Sequence, residues 1–332
     1  MLNLRDFLGY FMKYPMLTLL LILIVFPYIT SSKFVAADIL IWGLFAIGFN
    51  ILLGQTGIGS FGHAAYWGLG SYGCALWLMR PYGVRTIIPL WLGWGGLATG
   101  IALAVLAALI VGILGLKRPG HYFALITLAF AQLFYFIFYQ NPLGLTGGGD
   151  GIVNIPTPPI LGIDGTVWRN PLTWYYFVMM VVIISIFVAR KISNSHFGQV
   201  LRGIRENEQR MMLLGYDVQR YKLTSFMFSG LFSGLAGSLY TFHLNYVGLE
   251  NLTWLASGDV FLMTLLGGRE LFFGPLLGAT LYILMKDSFA SLTSNWMIPL
   301  GIVVVAVIWS YRGRGVLDII KQELDKRELI KK

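Results

Sequence analysis

Apolar runs follow one another along this chain, most of them long enough to cross a bilayer as a helix. We read about ten, near Pro15–Thr30, Ala36–Leu53, Gly57–Met79, Pro89–Leu116, Tyr122–Tyr139, Leu172–Ala189, Leu223–His243, Leu252–Leu266, Leu271–Phe289 and Trp296–Ser310. In hydrocarbon every backbone N–H and C=O must find a partner inside the chain. The pattern therefore predicts an all-α polytopic membrane protein of about ten transmembrane helices, some of them short enough to be broken or re-entrant. Composition agrees, because only 12% of the residues are charged, against about 25% in soluble domains.

The first run follows Arg5 and Lys13 and has the flanks of a signal peptide. It is long for a signal core and no small-residue cleavage site follows, so we read it as a retained span. Placing the N-terminus in the cytoplasm and alternating the runs puts 19 of the 24 Lys and Arg inside; Lys33, Arg80, Arg85, Arg169 and Lys286 fall outside. Such asymmetry is the expected orientation signal and implies that both termini are cytoplasmic. Residues 1–310 then form a transmembrane domain and 311–332 a cytoplasmic tail. A charged cytoplasmic loop spans 190–222 and a Gly- and Pro-rich external loop spans 140–171.

The charged stretch Gly198–Lys222 lies between two spans and reads as a docking surface on the cytoplasmic face. The net charge of +9 is topological, since no basic domain suited to nucleic acid exists. Cys74 is the single cysteine, so no internal disulfide forms, and His63, His121, His196 and His243 lack metal-ligand spacing. No Gly-Lys dipeptide occurs, hence no phosphate-binding P-loop, and no hydrolase motif is present.

Two stretches match G-x-G-x-x-G, at Gly57-Gly59-Gly62 and Gly68-Gly70-Gly73. Their flanks are spans rather than a strand–helix unit, which removes a dinucleotide reading. An offset of 11 residues is close to three helical turns, so we expect these glycines on one helix face, packed against neighbouring helices. Gly230-x-x-x-Gly234 and Gly274-x-x-x-Gly278 carry the same signal. Gly54–Gly62 also breaks an apolar region with Gln55, Thr56 and Ser60, followed by His63, and Leu265–Ala279 forms a second break. Paired interruptions point to a translocation path. Asp259 is the clearest intramembrane charge, read either as a functional group near the outer end of its span or as a helix cap.

Four stretches are similar to the M-type permease subunits of branched-chain amino acid ABC importers. They are NILLGQTGIGSFGHAAYWGLGSY at Asn50–Tyr72, GHYFALITLAFAQLF at Gly120–Phe134, LTGGGDGIVNIPTPP at Leu145–Pro159, and the charged loop with its following helix at Ser195–Tyr240. Their order and spacing carry the resemblance, which covers about residues 50–240 and extends more weakly to about 310.

The resemblance implies an assembly in the inner membrane of a bacterium or archaeon. A second permease subunit, as a heterodimer, would complete the pathway. Two ATPase subunits would use the ATP, and an external binding protein would deliver substrate; this chain would bind no cofactor or metal and catalyse no reaction. It would place ATPase coupling at Ile204, Arg205, Glu206, Asn207, Glu208 and Gly215. The path and helix break would include Gln55, Thr56, Gly57, Ser60, Gly62, His63 and Asp259, and Thr146, Gly147, Gly148, Asp150 and Gly151 would belong to the external loop. Two departures concern the cytoplasmic side: Arg269-Glu270 follows Gly267-Gly268 where the family has GG-x-G-T, and the last span ends Tyr311–Gly315 without the family's Pro-x-Gly. Related permeases carry urea, short amides and other small solutes. An ion-coupled secondary transporter using Asp259 is the alternative of a different class.

Overall fold

The computed structural model describes residues 15–30, 32–79, 92–117, 120–157 and 165–310. The tail 311–332, the departure at 311–315, and Arg5, Lys13, Arg80, Arg85 and Arg118 lie outside the described residues.

Helices account for nearly all the regular structure: α1 Pro15–Ile29, α2 Lys33–Asn50, α3 His63–Leu78, α4 Leu92–Gly115, α5 His121–Gln140, α6 Pro171–Asn194, α7 His196–Glu206, α8 Glu208–Leu213, α9 Val218–Leu244, α10 Trp254–Gly267, α11 Gly274–Leu292 and α12 Met297–Ser310. Each of the ten apolar runs holds one of these helices, and α7 and α8 fold within the charged loop 190–222. Four helical stretches are long and apolar enough to cross a membrane by length and composition: 33–56, 94–115, 121–140 and 171–194. Local chemistry sets the starts. Asn170 caps α6, its Oδ1 accepting from the Leu172 N–H at 3.0 Å, and Pro171 occupies the first turn, where a missing N–H costs nothing.

Helix α9 is the centre of the bundle and packs on α2, α3 and α4. Small residues permit this. Gly70 lies against the backbone of Gly234, Gly234 and Gly230 against Ala104 and Ala108, and Gly237 against the Trp67 carbonyl. No side chain fits in those gaps, so the backbones meet directly. The hydroxyls of α9 and α3 then bond across the contact. Ser229 donates to Gly48 O at 2.7 Å, Ser71 to Gly237 O at 2.9 Å, Ser238 to Gly70 O at 3.1 Å and Thr241 to Ser71 O at 3.0 Å. Each such bond in a membrane bundle contributes roughly 0.6 kcal/mol. Trp42, Phe45, Trp67 and Tyr240 fill the space beside this contact, with ring centroids 4.7–4.9 Å apart around Trp67. Helix α5, in contrast, leaves Leu125, Leu133, Phe136 and Ile137 exposed, as a lipid-facing helix would.

Two expectations need correction. The first glycine motif is not on a helix face: Gly57 is left-handed at φ 73° and Gly57–Gly62 is an irregular connection before α3. Gly59 has open space around it, whereas Gly68, Gly70 and Gly73 of the second copy do pack, on Leu252, Gly234 and Gly100. Thr56 turns its hydroxyl back to Leu52 O, Gln55 is held by Arg202, and the left-handed Gly57 ends the helix. Asp259 is also not near an outer end. The Leu249–Leu252 turn seats against Gly68 in the middle of α3, so the chain re-enters the bundle before α10 begins. Asp259 then meets Tyr282, itself midway along α11.

Candidate functional site

The end predicted to face the cytoplasm gathers segments that are distant in sequence. Three capping residues shape the charged stretch. Ser195 accepts from the Gly198 N–H at 3.4 Å and starts α7; Asn207 accepts from the Arg210 N–H at 2.9 Å and starts α8; Asp217 accepts from the Arg220 N–H at 3.2 Å and starts α9. Helix α7 is amphipathic, burying Val200, Leu201 and Ile204 against Met211 and Val218. Gly215 has φ 88° and nothing near a would-be Cβ, so its requirement is conformational rather than steric.

The arginines of α7 reach into the helix break. Helix α2 continues as one π turn, Ile51–Thr56, before Gly57 ends it. Arg205 Nη1 donates to the Gly54 carbonyl at 2.6 Å. Arg202 Nη1 donates to Gln55 Oε1 at 3.0 Å and to Ser193 O at 2.9 Å. A Cβ on Gly57 would meet the Arg205 side chain at 2.8 Å, so glycine gives that side chain room as well as the left-handed turn. Lys222 pairs with Glu208 at 2.6 Å. A cleft of about 740 Å³ opens here, bounded by Gly57, Gly59, His121, Arg205, Glu208 and Arg269. Arg269-Glu270, the departure noted above, is thus part of the cleft wall.

Of the residues expected at the coupling segment, Ile204 is buried, Arg205 and Glu208 bond within the chain, and Glu206, Asn207 and Gly215 are exposed. The sequence reading missed the most conspicuous feature. Met212, Leu213 and Leu214 are 51%, 90% and 66% exposed, a bare apolar tip among charged neighbours. Its signal was visible as MMLL inside a charged stretch, because exposed apolar groups there have no burial to gain within the chain.

Gln55, Thr56, Ser60, Gly62 and His63 are buried. Thr56 donates its hydroxyl to Leu52 O. Ser229 spends its single hydroxyl hydrogen on Gly48 O, so it must accept from His63 Nε2 at 2.7 Å; His63 Nδ1 then accepts from Ser60 Oγ at 3.0 Å. His63 is a neutral link joining the break to α9. Gly62 lies against the Thr127 carbonyl of α5. Thr56 and Gly57 line the cleft, whereas Gln55, Ser60, Gly62 and His63 are not among its lining residues.

Asp259 stands apart from this group, with Oδ1 accepting from the Tyr282 hydroxyl at 2.5 Å. Asp38 of α2, which the sequence reading passed over, has a buried Oδ1 without a hydrogen-bond partner, and Lys286 acts electrostatically on both carboxylates. Among the described residues no cluster suited to a metal occurs.

At the opposite end the Thr146–Gly151 turn is a fastener. Thr146 donates Oγ1–H to Phe138 O at 2.7 Å and its N–H to Asn141 Oδ1 at 2.8 Å. Gly147, Gly148 and Gly151 all have positive φ, which glycine adopts without strain. Gly151 lies against the Val247 carbonyl, and Ile152 and Val247 exchange backbone hydrogen bonds at 2.8 and 3.0 Å. Asp150 is exposed.

The model of the branched-chain amino acid transport system / permease component family matches residues 31–308. Relatives include the high-affinity branched-chain amino acid transport system permease protein LivM of Salmonella typhimurium, 27% identical over 94% of this chain and 76% of the relative. The protein of the same name from Escherichia coli is 26% identical over the same shares. A probable branched-chain amino acid transport permease protein LivM of Methanocaldococcus jannaschii is 28% identical over 67% of this chain and 66% of that protein. No solved structure matches the chain. The protein is integral to a membrane, and it belongs to the family of branched-chain amino acid transport system permease components.

Proposed function

We propose that this chain is one permease subunit of an ATP-driven importer of branched-chain, hydrophobic amino acids. It works in the inner membrane of a bacterium or archaeon, with about ten spans and both termini in the cytoplasm. A second, related permease subunit completes the path, two ATPase subunits dock on the inner face, and an external binding protein delivers substrate. ATP chemistry belongs to the docked subunits; this chain converts their motion into a change of path.

One observation carries the reading: a bare apolar tip is wired to a helix break. Leu213 and Leu214 offer the surface that an ATPase groove would cover. Behind them Arg205 and Arg202 grip Gly54 and Gln55 in the π turn of α2. A push on α7 and α8 therefore moves the inner end of α2 directly. The π turn is the compliant element, since its carbonyls are already out of regular helical register.

The test is a mild-detergent purification of the chain from its native cells. Co-purification of an ATPase and a second permease subunit, with ATP-dependent leucine uptake once they are reconstituted with the binding protein, is expected. Recovery of the chain alone, with ion-dependent and ATP-independent uptake lost in Asp259→Asn, would overturn the reading in favour of a secondary transporter. ATP-driven uptake of urea or short amides but not leucine would change the substrate.

A further inference from the structure

A separate cavity of about 410 Å³ opens at the end opposite the cleft, between the start of α2, the 154–157 stretch, the start of α6 and the end of α9. That volume is in the range of small-molecule sites, about 300–1,000 Å³. Two polar groups of its wall are unspent. Trp174 Nε1–H donates to His243 Nδ1 at 3.0 Å, so the ring's proton sits on Nε2. Nε2–H is buried and has no acceptor. The Asn245 backbone N–H caps α9 by bonding Thr241 O at 2.9 Å, while its side-chain Oδ1 is buried without a donor. Lys33 and Arg169 are exposed on the cavity rim. Both ion pairs among the described residues, Arg220–Asp217 and Lys222–Glu208, lie at the other end, so neither rim cation is neutralised by one.

Its walls are aromatic. Trp168, Trp174 and Phe242 are buried behind the surface, and the Phe34 ring stacks on the His243 ring with centroids 3.9 Å apart. A buried donor without an acceptor and a buried acceptor without a donor each carry an unrelieved desolvation cost. One ligand relieves both: a carboxylate for the cations and His243 Nε2–H, an ammonium for Asn245 Oδ1, and an apolar group for the aromatic wall.

We infer that this cavity is a receiving site on the outer face for a free α-amino acid with an apolar side chain. The choice of amino acid, rather than another amphipathic carboxylate, rests on the permease reading above. The site takes the substrate between its release from the binding protein and its passage through the path. The external loop then has a defined task. Its glycine turn and the Ile152–Val247 bridge pin the 154–157 wall to the end of α9, with Ile155 N–H on Asn245 O at 3.1 Å.

The experiment is radiolabelled leucine binding to the full-length chain in lipid nanodiscs, with competitors that each lack one charge. 4-Methylpentanoate, which keeps the carboxylate, is expected to compete, and 3-methylbutylamine, which does not, is expected to fail. A Lys33→Gln/Arg169→Gln double variant, altered only at exposed positions, should bind leucine about ten-fold or more weakly, in line with the loss of charge-assisted bonds. Asn245→Ala should weaken leucine but not 4-methylpentanoate, whereas Lys117→Gln, at the other end, should change neither. Unchanged leucine affinity in the double variant, or competition by the amine equal to that by the acid, overturns the inference. The two readings separate cleanly. A double variant that binds normally while an ATPase co-purifies sinks the receiving site alone. Charge-dependent leucine binding by a chain that recruits no ATPase sinks the importer reading alone.

Discussion

The two ends of this molecule use polarity in opposite ways. At the inner end Arg202, Arg205, Glu208 and Lys222 bond to partners in the chain, and the docking segment's bare surface is apolar, the tip at Leu213 and Leu214. At the outer end the cavity's Trp168, Trp174 and Phe242 are packed, and what its wall leaves unsatisfied is polar, His243 Nε2 and Asn245 Oδ1. A surface whose charges are internally tied transmits force; a cavity whose hydrogen bonds are unmade receives a ligand. On the proposed function, one chain carries a mechanical end and a chemical end, separated by the helix bundle.

The comparison breaks most readily at the tip. Leu213→Glu combined with Leu214→Glu should reduce the ATPase recovered with the chain by at least about thirty-fold, the loss expected on removing an interface hot spot, while leaving leucine binding in nanodiscs intact. Equal recovery would mean the tip is not a docking surface. Next comes Arg205→Ala, which strands the Gly54 carbonyl and cuts the link to the π turn. ATPase recovery should hold while leucine uptake per ATP hydrolysed falls by about ten-fold, from one charge-assisted bond; tight coupling in that variant would rule out the lever. Gly147→Ala probes the other end. Its left-handed φ of 74° costs a Cβ residue about 1–2 kcal/mol, and the Gly151 carbonyl stands in the way. Leucine binding should weaken several-fold and coupling should not change. The smallest effect belongs to Glu208→Gln. Its partner Lys222 is 11% exposed and Glu208 37%, so screening discounts the pair to roughly 0.5–1 kcal/mol. Uptake should fall less than about two-fold, and raising the salt concentration should erase the difference.

Helices were legible in the sequence because hydrocarbon leaves few alternatives: each apolar run holds one helix, within a few residues at most ends. The charged segment that folds into α7 and α8 was legible as a charge pattern, and Gly230, Gly234, Gly274 and Gly278 as packing positions. What failed depended on depth. Asp259 looked peripheral from its place in a run, but the 245–253 stretch re-enters the bundle and carries it inward. Gly57-Gly59-Gly62 and Gly68-Gly70-Gly73 share a spacing but not a conformation: the first follows the π turn and the left-handed Gly57, with Thr56 and Ser60 bonded locally and Gln55 held by Arg202, while the second lies within α3. The outer cavity was illegible. Lys33, Arg169 and the end of α9 at His243 and Asn245 are far apart in sequence, and only the fold brings them to one place.

The seam between α3 and α9 has one more property. Its hydroxyls are held twice. Ser71 reaches Gly237 O across the seam and also Trp67 O one turn back on its own helix, at 3.0 Å. Ser238 likewise has Gly234 O at 2.8 Å, and Thr241 has Gly237 O at 3.3 Å. If the two helices slide or part, each hydroxyl swings home to its own backbone and no donor is stranded in the hydrocarbon. The seam behaves as a releasable clasp: it adds cohesion while closed, yet opening it forfeits only the modest worth of each bond rather than the several kcal/mol of an orphaned polar group. For a permease proposed to alternate between two shapes, cheap disengagement matters as much as grip.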